Sequence, residues 1–102
     1  MDTPVNLHLE LDRGAKAEHL LRNELYVECM GKVRQGIYEK FATSPVGDKD
    51  GQHELRLMLK CLDDVEANIR EIATTGKLAA MQIEEERTLK ERAKSAIHAF
   101  RR

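Results

Sequence analysis

The chain has 102 residues, a formal net charge of −1, 34% charged and 4% aromatic residues, and no Trp. That length suits one domain with a modest core, and the balance favours surface-charged helices packed through Leu, Ile, Val and Met over a sandwich or barrel. The apolar runs are too short to span a bilayer and no signal-peptide hydrophobic region opens the chain, so a cytoplasm, or a particle assembled in one, is the expected setting.

Residues 4–12, PVNLHLELD, alternate: Val5, Leu7, Leu9 and Leu11 fall on one side, Asn6, His8, Glu10 and Asp12 on the other. The period of two predicts a strand or an extended arm over residues 1–14. A strand would need an edge in another subunit or a partner. An arm would lay its leucines on the helical core, and the pattern fits both.

A single helical domain is expected over 15–102. Its first helix is predicted from about Ala15 to Thr43, with Leu20, Val27, Met30, Val33, Ile37 and Phe41 as its stripe. Gly31 and Gly36 lie inside it, each costing about 1 kcal/mol relative to Ala. Close approach of another backbone would account for them. Ser44-Pro45 ends the helix, because the residue before proline is pushed out of helical geometry.

Asp48 is the expected N-cap of the next helix, and Asp50 adds a carboxylate where the helix dipole favours one. The string DKDG resembles a calcium loop but fails in register: with Gly51 at the glycine position, the first and last ligands would be Val46 and Leu57. The helix, about 49–75, carries Leu55, Met58, Leu62, Val65, Ile69 and Ile72 at steps of 3, 4, 3, 4 and 3. That is a seam requiring burial against other helices. Gly76 is expected to cap it, with a third helix at 77–100. If the first two helices form an antiparallel hairpin, Cys29 lies level with Ala67 and Cys61 with Gln35. The thiols are then roughly 9 Å apart along the axis. That exceeds the ~7 Å Cα reach of a disulfide, and both cysteines read as free, buried thiols.

The charge is uneven. Residues 1–86 hold 11 Lys/Arg against 17 Asp/Glu, and residues 87–102 hold six cations, Arg87, Lys90, Arg92, Lys94, Arg101 and Arg102, against Glu91 alone. Such a tail can neutralise nucleic-acid phosphates, solvate its own helix, or meet the acidic body of a neighbouring subunit. Base stacking has only Phe100 to offer. His8, His19, His53 and His98 have no metal-ligand spacing, and no nucleophile-base-orienter set, P-loop or dinucleotide fingerprint occurs. An enzyme, a metal and a cofactor are therefore not expected.

Three pieces carry a resemblance: LLRNELYVECM at Leu20–Met30, the helix start with Asp48, Asp50, Gly51 and Leu55, and TGKLAAMQIEE at Thr75–Glu85. Together, residues 20–86 resemble small helical proteins encoded among the structural and DNA-packaging genes of tailed bacteriophages. Both termini depart from that pattern. The resemblance implies a non-enzymatic structural or assembly protein of the head or packaging module, acting in the host cytoplasm or the virion with itself and other phage proteins as partners. A nucleic-acid-binding accessory protein and a small inhibitor of a host protein are the competing readings. The expected fold is all-α: a long antiparallel hairpin, a C-terminal helix and an extended N-terminal arm, in an oligomer.

Overall fold

The structure, a computed structural model, describes residues 6–101. They form three helices: α1 (Leu7–Arg22), α2 (Glu24–Thr43) and α3 (Lys49–Phe100). Each start is fixed by a side-chain cap. Asn6 accepts from the Leu9 N–H, Asn23 from Tyr26, and Asp48 from Gly51, each at 3.0 Å. These caps satisfy amide donors that a helix N-terminus otherwise leaves open.

Between α1 and α2 stands one residue, Asn23, in extended geometry (φ −65°, ψ 120°). Its own N–H closes α1 on the Leu20 carbonyl, while its side chain opens α2. The turn 44–48 then reverses the chain. The Ser44 hydroxyl donates to the Phe41 carbonyl at 2.7 Å, and Gln52 reaches back to the Pro45 carbonyl at 3.0 Å. α3 has 52 residues, a rod of about 78 Å that sets the molecule's 83 Å long axis. It runs antiparallel first along α2 and then along α1.

The all-α expectation holds, and so do the helix end at Ser44 and the start at Asp48. Three expectations do not. Residues 7–14 are helix, not strand or extended arm. The alternation was too short to decide the period: Leu7, Leu11, Gly14, Ala17 and Leu21 also recur at helical steps, the Asn6 cap selects that reading, and Leu9 is left 55% exposed. Val5 lies outside the described residues. The single helix over 15–43 is split at Asn23. The break at Gly76 does not exist, because α3 passes through it in ordinary helical geometry with negative φ.

The core is thin. The buried residues are Gly14, Ala17, Ile37, Ala73, Gly76 and Ala79. Five of these six are glycine or alanine, so α1 rests on α3 through small residues and little side-chain volume.

Candidate interaction surface

The inner face of α3 is set by what α1 and α2 bring to it. Leu55, Leu59, Leu62, Glu66, Ile69, Ala73 and Gly76 lie on it, half-buried or buried, at steps of 4, 3, 4, 3, 4 and 3. The expected seam differs from it by one residue at three layers, Met58 against Leu59, Val65 against Glu66 and Ile72 against Ala73. Leu55, Leu62, Ile69 and Ile72 are half-buried, but Met58 and Val65 are 49% and 51% exposed. At the Glu66 layer the displacement accompanies an ion pair. Arg34 of α2 reaches across to Asp63 at 2.6 Å and Glu66 at 3.0 Å, and Glu66 takes the inward place that hydrophobicity assigned to Val65. Hydrogen bonds that Arg34 donates to Asp63 first, then to Glu66, raise its pKa above the ordinary value. The contact of Arg34 with Asp63 and Glu66 keeps the α2–α3 register within a helical turn of the expected one.

On α2, Ile37 is buried and Met30 and Phe41 are half-buried, whereas Val27 faces outward with Leu25, Val33 and Tyr38. Gly31 and Gly36 have nothing within 4 Å of where a Cβ would stand, so no backbone approaches them. The close approach is elsewhere, between Gly14 and Gly76. Cys29 and Cys61 are free and exposed rather than buried. On α1, Leu7 is half-buried and Leu9 and Leu11 are exposed.

One ion pair ties α1 to α3: Lys77 Nζ lies 3.0 Å from Glu18. The Lys77 hydrogen bond and charge hold the Glu18 carboxyl below the usual carboxylate range. At the far end of α3, Arg87 bridges Glu84 and Glu91. Glu84 is lowered by Arg87, whose own pKa is raised chiefly by Glu84. Arg87 is thus engaged by two carboxylates of its own helix. Lys90, Arg92, Lys94 and Arg101 are exposed, and Arg102 lies outside the described residues.

The shallow depressions on the surface gather no catalytic set. One is lined by Leu7, His8, Ile83, Glu86, Arg87 and Lys90, where the start of α1 meets α3. Among the described residues no three His, Cys, Asp or Glu side chains group as a metal site, and no helix is long and apolar enough to cross a membrane.

What the arrangement offers is apolar surface. Leu25, Val27, Val33, Tyr38, Leu57, Met58, Val65, Leu78, Met81, Leu89, Ile97 and Phe100 are all exposed. The resemblance pieces fall at the α1–α2 joint, the start of α3, and the α3 segment that carries Gly76. No protein-family model, curated protein or solved structure matches the chain.

Proposed function

We propose that this chain is a non-enzymatic assembly protein acting through helix-mediated self-association. The resemblance of residues 20–86 supports a role in the head or DNA-packaging module of a tailed bacteriophage, with other proteins of that module as further partners.

One observation carries the self-association. The chain exposes 8744 Å², whereas a compact monomer of this mass exposes about 5,900 Å². The excess includes Leu and Val side chains on α2 and Leu, Met, Ile and Phe side chains on α3 that are about half exposed or more, and large exposed apolar surface marks an interaction site. A second or further copy is the partner always present at the right concentration and symmetry.

The nucleic-acid reading draws on Lys90, Arg92, Lys94 and Arg101. It is weakened by Arg87, whose charge is already met by Glu84 and Glu91. Gel filtration with and without duplex DNA, at two salt concentrations, tests the proposal. Assembly predicts an oligomer that ignores both DNA and salt. DNA binding that fades with salt would favour the other reading.

A further inference from the structure

Past the start of α1, α3 has no neighbouring helix among the described residues, and every residue from Leu89 to Arg101 is exposed. Building on the self-association reading, we propose that the stretch from Leu78 to Phe100, which includes this overhang, pairs antiparallel with the same stretch of a second copy, about a two-fold axis beside Leu89.

Positions spaced evenly about Leu89 share its face, with apolar residues at the outer layer and a polar side chain opposite an alanine at each inner one. Four residues to either side stand Glu85 and Ala93, seven residues away Gln82 and Ala96, and eleven residues away Leu78 and Phe100. At 100° per residue all six point within about 40° of Leu89. Antiparallel pairing about Leu89 therefore sets Leu78 against Phe100, and at the two inner layers sets a long side chain against an alanine. Met81 and Ile97, eight residues to either side, flank the stripe. Leu78 is 60% exposed, Met81 68%, Leu89 58%, Ile97 55% and Phe100 94%. The face is open because α1 sits on the other side of the helix. Gly76, Ala80 and Ile83, which lie toward α1, point about 120–180° away from Leu89.

Charge selects the partner and the direction. In the antiparallel pair Glu86 comes beside Lys90 of the second copy, and Glu85 beside Arg92 of the second copy. Two-fold symmetry repeats both contacts. A parallel in-register pair instead puts Glu85 beside Glu86 and Lys90 beside Arg92, like charge against like. The Arg87–Glu84–Glu91 cluster points away from the stripe and is already paired within the helix, so it does not oppose the docking. Such an interface is isologous and closes on itself.

A single nitroxide label tests the geometry. Cys29 and Cys61 are exposed and are replaced by Ser, and Ala99→Cys carries the label. Two copies paired about Leu89 place the labels about 30 Å apart along the axis, from twenty residues at 1.5 Å. Leu89→Asp in the same background is expected to abolish the dipolar signal with helical content unchanged. A dimer with labels within about 15 Å means parallel pairing and overturns the inference. So does a dimer insensitive to Leu89→Asp, which leaves self-association standing through another face. A chain monomeric at all concentrations overturns both, and the face then awaits a different partner.

Discussion

Gly14 of α1 and Gly76 of α3 meet backbone to backbone. A Cβ built on Gly14 would lie 2.5 Å from the Gly76 Cα, and one built on Gly76 would lie 2.6 Å from the Gly14 Cα. Neither position has room for a methyl group, and the atoms in the way are main chain, which cannot rotate aside. Gly14→Ala and Gly76→Ala are therefore expected to lower the melting temperature. Forcing extra carbon into a close contact costs about 1–3 kcal/mol, more than the gain of up to about 1 kcal/mol in helix propensity. A rise in melting temperature for either variant would show that α1 does not dock here.

Gly31→Ala and Gly36→Ala should do the opposite. Nothing lies within 4 Å of a Cβ at either position, so only the propensity gain of about 0.5–1 kcal/mol per site remains. Thermal melts of all four glycine variants give two of each sign if the α1–α3 crossing is correct.

These four glycines also show how far the fold was legible. Interior helical glycines invite the idea of close approach, and the idea was right but attached to the wrong pair. Gly14 sat within a stretch read as an arm, and Gly76 read as a cap, because sequence spacing does not say which two helices cross. The three helix starts were written in Asn6, Asn23 and Asp48, yet Asn6 lay inside an alternating stretch and Asn23 inside a continuous helical stripe, whereas Asp48 followed the break at Ser44-Pro45. Met58 and Val65 were placed inside because hydrophobicity alone was weighed. The Arg34 contacts that accompany the inward Glu66 join residues 29 and 32 positions apart, a relation invisible to local periodicity. The cations of the C-terminal segment were plain in the sequence, but the engagement of Arg87 by Glu84 and Glu91 needs their side-chain geometry.

Among the described residues Ile37 is the largest buried apolar one, with 4% of its surface accessible. Ile37→Ala is expected to cost about 2–4 kcal/mol, whereas Val65→Ala, at an exposed position, should change folding stability by less than about 0.5 kcal/mol. Chemical denaturation of the two variants measures the difference. Equal losses would return Val65 to the inner face.

Acid should loosen α1 from α3. The Glu18 carboxyl is held below its ordinary 4.5 by Lys77, so the folded state binds fewer protons than the unfolded chain near that pH. The Glu18 contribution is then complete above about pH 4.5 and is lost as the pH falls through the lowered folded value. Glu18→Gln should flatten this part of the stability-against-pH curve, and added salt should do the same because the pair is exposed. Melting curves between pH 6 and 3 that are identical for the wild type and Glu18→Gln would remove the pair from the account.

In the proposed assembly, further copies of the chain cover the apolar surface left open on α2 and α3. Sedimentation equilibrium on the full chain, over a hundredfold range of concentration and at low and high salt, tests it most directly. The account predicts a mass of at least two chains that falls only on dilution and holds at high salt, since apolar burial supplies most of the contact. A single-chain mass across the whole range would contradict it.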